Sequence, residues 1–135
     1  MWEKKGFTLI EILVVIVIVG ILAALTLPNY MAIKEKTLDR EAKANLALIR
    51  AAEKIYKMEE GNYYPSSGSI STIDVINTNL RLSLPNSLPV TSRNWAYSLD
   101  NSSSTGIGVA TRSGRTWKLN AVSSSEVPAC TGSCL

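Results

Sequence analysis

Histidine is absent from these 135 residues. Its absence removes the commonest general base and the commonest metal ligand together. Cysteine occurs twice, as Cys130 and Cys134, both at the far end. In an exported chain that pair reads as a short disulfide loop, and in a reducing compartment as a poor zinc site with too few ligands. Charge is sparse, at 19% of residues and a net +3. So small an excess gives no argument for nucleic acid. Gly106-x-Gly108 lacks the later glycine and the helix start of a phosphate loop. Asp74 and Asp100 are isolated, which speaks against a calcium cage. There is no nucleophile elbow and no cluster of carboxylates; a serine–lysine pair is the one catalytic arrangement left open. The expectation is a chain with no catalytic residue, no metal and no cofactor, and not an enzyme.

What is present divides near Gly61. Seven of the eight lysines lie at or before Lys57. Beyond Gly61 the chain is rich in Ser, Thr and Asn. Phe7 to Leu27 is apolar or small except at Thr8, Glu11 and Thr26, and Ile12 to Leu25 holds no polar side chain at all. A membrane span needs about 20 mainly apolar residues, roughly 30 Å of helix. A buried core helix fits less well, because so small a chain offers nothing large enough to cover a stretch apolar on every face. A cleaved secretory signal fits less well too, because Ala23-Ala24-Leu25 leads into no small-x-small site.

Glu11 is the informative residue of this run. An ionised side chain at the middle of a span costs about 2.5–3.5 kcal/mol, and less near its end. No Lys or Arg lies inside the run to pair with it. A cut after Gly6 would create one cation, the amino terminus of Phe7, with an ordinary pKa of about 7.7–8.0. That amine would lie four residues from Glu11 at the positive end of the helix dipole. Its own terminus or a neighbouring chain's could neutralise the carboxylate. Basic residues count the other way for orientation: Lys34, Lys36, Arg40 and Lys43 follow the run, against Lys4 and Lys5 before it.

Pro28 removes a donor and predicts a kink or local melting near Ala24; Gly20 also weakens the helix. Both residues are equally at home in an ordinary membrane helix. From Asn29 to Glu60 an amphipathic helix is predicted. Leu38, Ala42, Ile49, Ala52 and Tyr56 form its apolar stripe, broadened by Leu46, Leu48 and Ile55. The charged residues, Asp39, Arg50 and Glu53 among them, are read as lying mostly elsewhere, with Glu53 attracting Lys57. Gly61-Asn62 is the stop.

After the stop, Ser71 to Leu82 reads as a short helix capped by Ser71, with Ile73, Ile76 and Leu80 on one face. Pro85 and Pro89 bracket a turn. Strands are expected at Trp95–Leu99, Ile107–Thr111 and Thr116–Val122, from the alternation of Trp95, Tyr97, Leu99 and of Trp117, Leu119, Ala121. Trp95 and Trp117 are read as core. The expected class is α+β: a long N-terminal helix, membrane-spanning in its first half, packed on a small antiparallel sheet of about three strands.

Gly6-Phe7-Thr8-Leu9-Ile10-Glu11 resembles the prepilin processing motif of type IV pilins and type II secretion pseudopilins. The resemblance continues through the apolar run, Gly20 and Pro28 included, into the following helix. It implies a pilin-like fold and four segments: a leader at 1–6, a transmembrane and assembly helix at 7–28, an amphipathic helix at 29–60, and an extracytoplasmic loop and β-sheet region at 61–135. It implies that a prepilin peptidase/methyltransferase cuts between Gly6 and Phe7 and N-methylates Phe7. Glu11 would pair with the terminus of an adjacent subunit. Lys4 and Lys5 would stay cytoplasmic, and Gly20 to Pro28 would supply helix flexibility. Cys130 and Cys134 resemble the disulfide-closed end of many pilins, though the loop is short and would mainly pin the tail.

The expected function is a structural subunit of a type IV pilus or related filament. One alternative is a pseudopilin of a type II protein secretion system; another, of a different class, is a membrane-tethered extracytoplasmic binding module. The implied partners are copies of itself and other pilins, the peptidase, an inner-membrane assembly platform, and membrane lipid before assembly. The implied location is the bacterial inner membrane, crossed once, and then a surface or periplasmic filament. Adhesion, twitching motility, DNA uptake and protein secretion all use such an anchor. Arg81, Arg93, Arg112 and Arg115 are a candidate basic patch for nucleic acid, read first as a solvated surface.

Overall fold

The computed structural model describes residues 6–85 and 94–134, without the side chains of 26–28. The expected leader before Gly6, the turn at Pro89 and Arg93 lie outside the described residues. The chain divides into two compact units, Met1–Thr37 and Leu38–Leu135. Helix α1 spans Leu9–Glu60 and is continuous through Gly20 and Pro28.

In the first unit every described side chain from Gly6 to Lys34 is exposed. Ile12 to Val19 offers Leu, Val and Ile in all directions around the helix, and among the described residues all of them are exposed. This helix is long and apolar enough to cross a membrane.

The second unit holds the rest of α1, helix α2 (Ile73–Leu80) and strands β1 (Ser69–Ile70), β2 (Ala96–Asp100), β3 (Ile107–Arg112), β4 (Arg115–Asn120) and β5 (Ala129–Gly132). The strands form one antiparallel meander in chain order. The sheet therefore has five strands where three were expected. Both additions are short edge strands, Ser69–Ile70 and the segment holding Cys130. The three predicted strands lie within a residue or two of their expected places, and Trp95 immediately precedes β2.

One face of the sheet explains the packing. Tyr97 pairs across with Ala110 and Ala110 with Trp117; Leu99 pairs with Gly108 and Gly108 with Leu119. Small residues on the central strand thus lie between large ones on its neighbours. The trough so formed accepts Leu46 and Ile49, both fully buried. A Cβ on Gly108 would lie 3.1 Å from Ile49 Cγ2 and 3.2 Å from Leu46 Cδ2. Burial contributes about 1.5–3 kcal/mol for each such side chain. Leu38, Ala42 and Ala52 are buried on the same stripe, while Leu48 and Ile55 are exposed. The expectation that those two broaden the stripe is corrected: Leu48 stands about 100° around the helix from Ile49. The same geometry puts Asp39, Arg50 and Glu53 on the buried side. Trp95 Nε1 donates to the Leu38 carbonyl at 2.8 Å, tying the sheet to the start of the stripe.

Gly61 ends α1 in the left-handed region, at φ 82°, with its amide on the Lys57 carbonyl at 2.9 Å. Helix α2 is shorter than expected. It starts after Thr72 rather than at a Ser71 cap, and Thr72 makes no side-chain capping bond. Its predicted face of Ile73, Ile76 and Leu80 is the buried one. Asn77 stops the chain beyond α2 from straying, since its side chain donates to the Leu84 carbonyl and accepts from the Leu84 amide. Asn101, itself buried, donates to the carbonyls of Tyr63 and Pro65 and accepts from the Gly106 amide.

Candidate functional site

At the start of α1 the first turn closes on Thr8, whose carbonyl accepts from the amides of Glu11 and Ile12 at 3.2 and 3.4 Å. The Glu11 carboxylate turns back toward the same residue. Its Oε2 lies 3.5 Å from both the amide nitrogen and the hydroxyl of Thr8. Thr8-x-x-Glu11 therefore has the layout of a capping box, with long, weak contacts in place of tight ones. A carboxylate in the first turn also meets the positive end of the helix dipole. Glu11 is the only charged side chain between Phe7 and Ile33. It is held where it can accept from a donor brought to the helix end, since these contacts leave acceptor positions open. Gly6 and Phe7 directly precede this turn and are exposed. The link from Thr8 to Glu11 is legible in the spacing alone.

The second unit carries buried charge that sequence reasoning placed in solvent. Arg115 pairs with Asp39 at 3.0 Å, both almost fully buried. Arg115 is therefore removed from the candidate basic patch. Arg81 is exposed, ends α2 in the left-handed region and pairs with Glu59 at 3.2 Å. Arg50 donates to the Ser123 carbonyl. Glu53 is 0% exposed and accepts from the Tyr64 amide at 2.9 Å. Burial pushes its carboxyl up to about 7, with the Tyr64 bond pulling the other way. It does not sit on the solvent side beside Lys57, as the i,i+4 spacing predicts; the Lys57 ammonium lies over the Tyr63 ring instead. Burial also pushes the Tyr97 hydroxyl up to about 12, opposed by the Asn45 side chain, which donates to it at 2.7 Å.

Cys130 and Cys134 form a disulfide, with Cα atoms 6.3 Å apart. Trp117 and Trp95 are both buried, and Lys43 lies over the Trp117 ring at 4.2 Å. Among the described residues no group of three or more acidic or cysteine side chains converges as a metal site. Two open depressions flank the 123–127 loop, one lined by Leu119, Val127 and Ala129, the other by Arg50, Lys54 and Glu126. The first also brings Lys118 to the same lining as Ser123 and Ser125.

A family model described as a prokaryotic N-terminal methylation motif matches residues 3–27. This chain carries a prepilin-type N-terminus. The motif covers Gly6, Phe7 and Glu11 together and extends over most of the exposed apolar run. Among curated proteins the chain is 44% identical over 66 residues to a type II secretion system core protein G of Pectobacterium carotovorum subsp. carotovorum, covering 49% of this chain and 42% of that protein. It is 42% identical over 65 residues to the protein of the same name in Escherichia coli (strain K12), covering 48% and 44%. It is 41% identical over 61 residues to the type IV major pilin protein PilA of Myxococcus xanthus (strain DK1622), covering 45% and 28%. The similarity thus spans about half of this prepilin-like chain and less than half of those relatives. No solved structure gives a significant match.

Proposed function

We propose that this chain is a structural subunit of a type IV pilus or a related filament. It is cut between Gly6 and Phe7, N-methylated at Phe7, and polymerised through α1. The observation that carries this reading is the methylation motif at 3–27 joined to a helix start whose apolar side chains, Leu9 to Leu25, are exposed among the described residues. Before assembly, lipid covers that helix, since a bilayer accepts about 20 apolar residues. After assembly, sister helices cover it. The second unit stays on the extracytoplasmic side.

Glu11 is the proposed assembly residue. In the anchored subunit its carboxylate rests on Thr8. In the filament it takes the charged terminus of an adjacent Phe7, which exchanges two weak contacts for a charge-assisted pair in a low-dielectric surrounding. Gly20 and Pro28 are the proposed places where α1 yields when the filament is drawn out. The partners are copies of the chain, other pilins, the prepilin peptidase and an inner-membrane platform.

A second reading has its own support: two of the relatives above are named as type II secretion core proteins. In that case the chain is a pseudopilin and the filament serves protein export. Both readings share one test. Filaments are sheared from cells expressing the chain or its Glu11→Ala variant and are quantified. The proposal expects filaments from the parent and none from the variant, with equal amounts of both chains in the membrane. Equal filament yields would contradict it. Complementation of a secretion mutant, set against surface-filament counts, separates pseudopilin from pilin.

A further inference from the structure

The part of α1 in the second unit has two apolar seams. The buried one runs Ala42, Leu46, Ile49, Glu53, Tyr56. The other runs Ala44, Leu48, Ala51, Ile55, Met58 and lies two residues along, about 200° around the helix. Both follow the same alternation of four and three. The second seam is open: Leu48 is 55% exposed, Ile55 52% and Met58 78%, and the alanines are exposed as well. Scattered exposed apolar residues need no explanation, but five in succession at heptad spacing make the a and d positions of a coiled-coil face.

The residues flanking this seam indicate its occupant. With Leu48 and Ile55 at a, and Ala44, Ala51 and Met58 at d, Lys54 falls at g and Glu59 at the following e. These positions differ by five residues, and that offset brings g of one helix to e of its partner in a parallel, in-register pair. The seam is therefore complementary in charge to itself: Lys54 meets the partner's Glu59 on each side. Glu59 already pairs with Arg81 at 3.2 Å on the exposed surface, and its two oxygens can accept a second cation. Ala47, Ala51 and Ala44 let the backbones approach closely. Two chains anchored in one membrane by the same end are also parallel, and membrane confinement raises their effective concentration.

We infer that Ala44–Met58 is a homotypic docking seam, through which two membrane-anchored copies of this chain associate side by side before assembly. The inference rests on the anchored reading above.

The test uses the full chain in membranes of cells that lack every other filament protein, so no polymer forms. Ala51→Cys places a thiol at a central d position, and Glu60→Cys places one at f, on an exposed site off the seam. After mild oxidation, Ala51→Cys is expected to give a disulfide dimer, and Glu60→Cys and the parent chain only monomer. In the Ala51→Cys background, Lys54→Glu is expected to lower the dimer fraction roughly fivefold, since it replaces both attractions with repulsions. Adding Glu59→Lys is expected to restore it. Equal crosslinking at positions 51 and 60, a crosslink to a different protein, or no crosslink in a chain that sits in the membrane overturns the seam alone. A chain missing from the membrane fraction overturns the anchored reading and the seam with it.

Discussion

Two stretches of one helix show how differently apolar residues can be used. From Phe7 to Leu25 they lie on every side and none is covered. From Leu38 to Tyr56 one stripe of them lies in register with a trough in a sheet, and Leu46 and Ile49 vanish into it, while Leu48 and Ile55 stay exposed. The first stretch needs no particular order of Leu, Val and Ile to remain apolar all round. The second needs a defined spacing and small residues opposite, namely Gly108 and Ala110. The first is therefore left exposed among the described residues, whereas the stripe in the second takes its cover from the sheet. Charge follows the same division. Glu11 has only weak partners of its own, whereas Asp39, Arg50 and Glu53 each have a defined partner inside the second unit.

Substitutions that confuse the two regimes should show it, the largest effect coming from the buried ion pair. Arg115→Met leaves Asp39 buried without its cation, and breaking such a pair costs about 3–5 kcal/mol. Denaturant unfolding of the full chain in detergent, followed by the fluorescence of the buried tryptophans, should show this loss. Adding Asp39→Leu should recover most of it. Next is Val15→Lys, which places a charge inside the apolar run at a cost of about 2.5–3.5 kcal/mol for insertion. Membrane fractionation should show depletion of the chain. Leu48→Lys, on an exposed face of the second unit, should leave unfolding within about 0.5 kcal/mol of the parent.

Glu53 gives a pH dependence of definite sign. Its folded carboxyl titrates near 7 and its ordinary value is 4.5. As pH rises from 4.5 to 7 the unfolded chain loses this proton first, so stability falls across that window and then levels. The full effect is about 3 kcal/mol. Glu53→Gln keeps an acceptor for the Tyr64 amide and should remove this slope. A slope of the same size in the variant would assign the effect to other groups. A further loss is expected at the trough: Gly108→Val overfills the space beneath Ile49 and Leu46 and should cost about 1–3 kcal/mol in the same unfolding assay.

Much of this was legible in the sequence because it depends on local periodicity. The apolar run, the stop at Gly61 and the alternation through Trp95, Tyr97 and Leu99 each repeat within a few residues. So does the Thr8-x-x-Glu11 spacing. What escaped depends on distant pairing. Strand β1 is two residues long, and β5 is Ala-Cys-Thr-Gly; neither alternates, and each exists because a neighbouring strand offers it an edge. Asp39 meets Arg115 across 76 positions, so nothing near either residue announces the other. Residue type alone places Glu53 in solvent, while its place on the stripe, four residues after Ile49, puts it inside.

The most direct measurement is the mass of the amino terminus of the chain purified from membranes of cells with and without a prepilin peptidase. The account predicts a mature chain that begins at N-methylated Phe7 only where the peptidase is present. An intact Met1 in both strains, or a cut downstream of Ala24, would contradict it.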